Sequence, residues 1–112
     1  MLLMRAFGHD RIVLRDEFSL HREIVARLQR ASVPFEREVQ MGAKKRPDFM
    51  LGSVVVEVKI QGSAMGILRQ LKRYADDPRV EGVVLVSTRP ITLPSLLGGK
   101  SVLAVDLWQN LL

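Results

Sequence analysis

Two carboxylates and a lysine stand where one short hairpin can gather them: Asp48 in Arg46-Pro47-Asp48-Phe49, and Glu57 with Lys59 in Val54-Val55-Val56-Glu57-Val58-Lys59-Ile60. Side chains alternate along a strand, so Glu57 and Lys59 share one face while Val54, Val56, Val58 and Ile60 share the other. One face is built to pack. An unpartnered charge in a strand core costs on the order of several kcal/mol, so Glu and Lys at these positions call for a chemical reason. Gly52 and Ser53 read as the turn of a hairpin that folds Pro47–Leu51 back along Val54–Ile60 and brings Asp48 toward Glu57. Carboxylate oxygens beside an ammonium suit a hard divalent cation, Mg²⁺ or Mn²⁺, and the activation of water.

The elements that must position this group follow from periodicity and punctuation. Leu20, Ile24, Leu28 and Ala31 recur at helical spacing, with Asp16 or Ser19 as N-cap and Pro34 as stop, and predict a helix over Glu17–Ser32. Glu23 borders that apolar stripe, one residue before Ile24. Pro34–Met41 alternates, with Phe35, Val39 and Met41 opposite Glu36, Glu38 and Gln40, and predicts a half-exposed strand. Gly42–Arg46 is a turn carrying three consecutive cations. Ser63 caps a second helix, Ala64 to about Asp76, with Ala64, Leu68, Leu71 and Ala75 as its apolar stripe and Gln70 and Tyr74 four apart on one face. Val80–Ser87, with its β-branched run, predicts a strand covered on both faces, joined in parallel to Val54–Ile60 by a right-handed helical crossover. Thr88–Lys100, with Pro90, Pro94, Gly98 and Gly99, reads as loop, and Ser101–Asp106 as a last strand. Met1–Arg15 reads as an irregular arm, and Trp108, Leu111 and Leu112 as a tail that packs or mediates association.

The whole chain bounds what this group can serve. Its 112 residues make one domain, 1–112, with its core at about 17–106. Seventeen Lys plus Arg against twelve Asp plus Glu give a net charge of +5 and a pI near 10.2, which favours a polyanionic partner, nucleic acid before membrane. No apolar run approaches the ~20 residues of a spanning helix, and Arg5, His9 and Asp10 interrupt the N-terminus, so the expectation is a cytoplasmic protein without membrane contact. The absence of cysteine excludes disulfides, thiolate zinc sites, cysteine-ligated iron–sulfur clusters and a thiol nucleophile. His9 and His21 are too few and too badly placed for a zinc or catalytic set, and read as ordinary residues. No P-loop, Rossmann glycine pattern or nucleophile elbow is present, so no nucleotide cofactor is expected.

Helix, three strands, helix, strand, with Pro47-Asp48, eight intervening residues and then Glu57-Val58-Lys59, resembles the PD-(D/E)XK nuclease superfamily over roughly Phe18–Thr88. Gln70-Leu71-Lys72-Arg73-Tyr74 is similar to the Q-x-x-x-Y motif of its RecB-type and phage exonuclease branches, and Glu23 stands in the place of the first-helix acid of branches that include Holliday-junction resolvases. The resemblance implies an α/β fold with a three-layer restriction-endonuclease-like core, order α-β-β-β-α-β, its central mixed sheet flanked by helices. It also implies Mg²⁺- or Mn²⁺-dependent phosphodiester hydrolysis of DNA, structure-selective or end-directed, in phage, mobile-element or repair and recombination settings. Asp48, Glu57, the Val58 carbonyl and Glu23 would hold the metal, Lys59 would orient water and stabilise the transition state, and Gln70 and Tyr74 would position the phosphate. Lys44, Lys45 and Arg46, with Arg69, Lys72 and Arg73, would contact backbone phosphates. A homodimer or a larger nuclease complex fits so small a unit. The alternative is a nuclease-fold protein without turnover that binds nucleic acid or serves assembly; RNA is a further substrate class.

Overall fold

Helix α1 (Glu17–Arg30) opens the described part of a computed structural model, which covers residues 17–106. The expected arm, the Asp16 cap and the Trp108–Leu112 tail lie outside the described residues. Strands β1 (Glu36–Arg37), β2 (Phe49–Leu51) and β3 (Val54–Lys59) follow, then helix α2 (Ala64–Ala75) and strands β4 (Gly82–Ser87), β5 (Leu96–Leu97) and β6 (Lys100–Asp106). They form one mixed sheet in the order β1-β2-β3-β4-β6-β5, in which β4 is parallel to β3 and β6 and the other pairs are antiparallel.

The helices cover opposite faces, giving three layers. Leu20, Ile24 and Leu28 of α1 pack on Phe49, Val56, Val58, Val84, Val86 and Val105. Ile67, Leu71, Tyr74 and Ala75 of α2 pack on Met50, Val55, Val83 and Leu85. Burying each such side chain contributes about 1.5–3 kcal/mol, so the two clusters outweigh the few kcal/mol that a buried carboxylate costs. The alternation expected for β3 holds: Val54, Val56, Val58 and Ile60 face α1, which leaves Glu57 on the α2 side with Val55.

The β2–β3 hairpin is the local element on which the site depends. Gly52 adopts a φ of +63°, the left-handed value a two-residue turn needs and a β-branched residue resists. The turn sets Leu51 opposite Val54 and Phe49 opposite Val56. One step further along that register, Asp48 falls opposite Glu57. Two carboxylates directly across a strand pair repel each other, so this register has an electrostatic cost that the apolar pairs beneath it must offset.

Three expectations need correction. The strand expected over Pro34–Met41 shrinks to Glu36–Arg37, because Glu38, whose amide makes the last rung of the pairing to the Asp48 carbonyl at 3.2 Å, turns to a φ of +50°. The expected loop Thr88–Lys100 contains β5, which pairs with β6 across the positive-φ turn Gly98-Gly99. The buried stripe of α2 is Ile67, Leu71, Tyr74 and Ala75 rather than one through Ala64 and Leu68, so the helix is rotated to bring Tyr74 inward. The Ser63 cap is as expected, its Oγ accepting from the Gly66 amide at 3.0 Å.

Candidate active site

Glu57 lies at the centre, 3% exposed, with its neighbours supplied by the β2–β3 hairpin and α2. Its Oε1 accepts from the Asp48 amide at 3.1 Å and from the Tyr74 hydroxyl at 3.4 Å, and its Oε2 accepts from Gln70 Nε2 at 2.7 Å. Lys59, two residues on and therefore on the same face, places Nζ 3.6 Å from Oε2. Burial pushes the Glu57 carboxyl up to about 7, and the Asp48 charge adds to the effect; hydrogen bonding by the Asp48 amide and the Lys59 ammonium oppose it. Tyr74 is raised to about 12, by burial first and the Glu57 charge next, so it remains a proton donor to Glu57.

Asp48 is held by the same hairpin. Past Phe49 the β2–β3 ladder ends, and the Val58 amide donates to Asp48 Oδ2 at 2.8 Å. Val58, expected through its carbonyl, enters the site through its N–H. Across the sheet edge His21 Nε2 of α1 stands 3.8 Å from Asp48 Oδ2 and 3.9 Å from Glu17 Oε1. The Phe49 ring lies against the imidazole, centroids 5.4 Å apart, and fixes its place. A cleft of about 290 Å³ lined by Glu17, Phe18, His21, Arg37, Glu38 and Asp48 opens here. Carboxylate oxygens with one imidazole form a donor set that fits a divalent cation of the Mg²⁺ or Mn²⁺ kind.

The expected site residues divide. Asp48, Glu57, Lys59, Gln70 and Tyr74 come together. Gln70 and Tyr74 hydrogen-bond Glu57 itself, and Gln70 also donates to the Tyr74 hydroxyl at 3.4 Å, so the pair clamps the acid. Glu23 does not join them. It stands two residues past His21, about 200° around the helix, and its Oε1 lies 3.4 Å from the buried Arg27 Nε and 3.5 Å from Arg30. The first-helix groups beside Asp48 are instead Glu17 and His21, whose i,i+4 spacing was the legible signal that sequence reasoning passed over. Among the cations, Lys45 is paired with Asp77 at 3.2 Å and Lys72 with Asp76 at 2.6 Å, while Lys44, Arg46, Arg69 and Arg73 are exposed.

Glu23 as counter-ion has a consequence separable from ligation. Glu23→Gln is expected to lower stability by about 1–3 kcal/mol, because the buried Arg27 loses a charged partner, and to leave divalent-cation affinity unchanged. Urea unfolding beside a Mn²⁺ titration reads both; lost metal affinity with stability intact would return Glu23 to the site.

Compared with protein-family models, curated proteins and solved structures, the chain matches none of them. Among the described residues, no helix is long and apolar enough to cross a membrane.

Proposed function

We propose that this chain is a metal-dependent nuclease of the PD-(D/E)XK type that hydrolyses phosphodiesters in DNA. The observation that carries the reading is the hairpin register that sets Asp48 opposite Glu57 with Lys59 on the same face. A packing role alone does not require two facing carboxylates and an ammonium on one side of a buried strand. Gln70 and Tyr74 add support as the clamp that holds Glu57 in place.

When bound at the carboxylates, Mg²⁺ or Mn²⁺ supplies an activated water and neutralises charge on the phosphoryl oxygens. The chain's own residues prepare that chemistry. The Val58 amide fixes the Asp48 carboxylate, Gln70 and Tyr74 orient Glu57, and Lys59 holds a positive charge where a water proton or phosphoryl oxygen would lie. Glu57, with its carboxyl raised to about 7, takes a proton readily near neutrality and would have to release it to ligate a cation. The exposed Lys44, Arg46, Arg69 and Arg73 suit a phosphate backbone, with affinity that falls as salt rises.

A second reading, a nucleic-acid-binding or assembly module without turnover, draws on the fact that both Glu57 oxygens are already hydrogen-bonded. One assay separates the two: single-stranded, duplex, flapped and four-way DNA incubated with Mg²⁺ or Mn²⁺, beside Asp48→Ala. The nuclease reading expects metal-dependent cleavage that falls at least about 100-fold in the variant. DNA bound but left intact by the wild type favours the module, and cleavage indifferent to Asp48→Ala removes the site assignment.

A further inference from the structure

We infer, resting on the nuclease reading, that the cavity at the carboxyl ends of β4 and β6 is a subsite for one unstacked nucleobase of the DNA substrate, that Asp106 makes it favour cytosine over thymine, and that Arg89 holds the adjoining phosphate. Position is the first ground. The sheet register sets Glu57, Leu85 and Ala104 side by side across β3, β4 and β6, and two residues further on it sets Lys59, Ser87 and Asp106 in a second row on the same face. Lys59 and Asp106 are therefore two strand spacings apart, ~9.6 Å between backbones. One nucleotide covers that span from its phosphate to the far edge of its base. Ligands of open α/β sheets gather outside the carboxyl ends of parallel strands, the end at which β3, β4 and β6 carry this second row.

The lining is the second ground. The cavity holds about 220 Å³, less than the ~300–1,000 Å³ of a site for a drug-sized ligand, and so suits one base rather than a stacked pair. Leu85 and Ala104 give it an apolar floor that Pro90 and Ile91 of the following loop extend. Ala104 is exposed although β6 lies inside the sheet, between β4 and β5, so this floor is open to a flat ring. Asp106 adds a carboxylate to the lining. A carboxylate accepts at roughly four lone-pair positions, so it can take an amine hydrogen from cytosine beside the contact that Asp106 already makes. Thymine offers a carbonyl oxygen at the same place and would set acceptor against acceptor.

The cation is placed by the end of β4. Ser87 Oγ accepts from the Arg89 amide at 3.1 Å and donates to the Arg89 carbonyl at 2.9 Å, a turn that fixes where the exposed Arg89 leaves the strand. Its guanidinium donates to the Gly62 carbonyl, in the segment between Lys59 and α2, and has further N–H groups for a phosphate lying between the cavity and Lys59. The slot admits a base only out of its stack, so single-stranded ends and unpaired junction positions are the DNA that fills it.

Anisotropy titrations of the full chain with dye-labelled single-stranded cytosine and thymine hexanucleotides, in chelator so that nothing is cut, test this beside Asp106→Asn, Ala104→Leu and Arg89→Gln. The cytosine strand is expected to bind about tenfold or more tighter. Asp106→Asn, whose amide can serve either base, should bring the two strands to within about twofold of each other. Ala104→Leu fills the cavity from an exposed position and should also erase the preference, by weakening the cytosine strand. Arg89→Gln should weaken both strands alike by several-fold and reduce the slope of log affinity against log salt by about 0.7. A wild type without base preference, a preference that survives either Asp106→Asn or Ala104→Leu, or no binding of either strand overturns the inference; an unmoved salt slope in Arg89→Gln removes its phosphate contact. Metal-dependent cleavage of mixed-sequence single strands separates the subsite from the nuclease reading. The preference with its variant pattern, in a protein that cuts nothing, sustains the subsite and sinks the nuclease; cleavage by a protein that binds both strands equally does the reverse.

Discussion

Replacing Glu57 by Gln is expected to stabilise the metal-free protein at about pH 8 by roughly 1–2 kcal/mol, with the gain fading as the pH falls toward the ordinary glutamate value. The sign comes from proton counting. Between the unfolded value of 4.5 and the folded value of about 7, the folded protein keeps a proton on Glu57 that the unfolded chain has released, so stability falls as pH rises through that window and levels off above it. A shift of that size corresponds to about 3 kcal/mol at most. Glutamine removes the charge but turns one NH₂ toward donors that now lack an acceptor, which costs about 1–2 kcal/mol of the gain. Urea unfolding of both proteins in chelator across about pH 4–8 reads the difference, and a gap that does not change with pH would show that Glu57 titrates normally. The same variant should lose metal-dependent cleavage, so a more stable and less active protein is the expected combination.

That buried acid also explains what was legible in the sequence. The hairpin turn, the Ser63 cap and the run of β4 are set by local chemistry: a glycine at positive φ, a hydroxyl one residue before a helix, β-branched residues in sequence. Asp48, Glu57 and Lys59 could be placed together because the register of a two-residue hairpin is arithmetic. What could not be read depended on packing between distant elements. The stripe of α1 has two borders, one carrying Glu17 and His21 and the other Glu23, and only the docking of the helix on the sheet decides which border meets Asp48. In α2 the competing stripes, Ala64–Leu68–Leu71–Ala75 and Ile67–Leu71–Tyr74–Ala75, share Leu71 and Ala75. The buried carboxylate provides hydrogen-bond partners for Tyr74 and Gln70 and fits the second. Strand β5 is two residues long and exists because Lys100–Asp106 offers it an edge, a partner that no local pattern announces.

Lys59 gives the sharpest separation between binding a metal and using it. Its Nζ is 3.6 Å from Glu57 Oε2 and its side chain is 28% exposed, so it is anchored by the acid yet reaches solvent where a substrate would lie. Lys59→Met is expected to reduce cleavage by about 100–1000-fold, the usual cost of removing a charge aimed at the transition state, while Mn²⁺ affinity is retained. Methionine keeps the packing of the stem, so stability changes through charge alone. Without the ammonium the Glu57 carboxyl is pushed higher still, and any residual cleavage should need a higher pH to reach its plateau. Asp48→Ala should behave differently, losing metal affinity and cleavage together, because its carboxylate lies among the proposed ligands. Rates measured against pH at saturating Mn²⁺ distinguish the two variants. If Lys59→Met cleaves like the wild type at its plateau with only the pH profile moved upward, the lysine is a counter-ion that makes the burial of Glu57 tolerable, and the transition-state charge must come from elsewhere in the cleft.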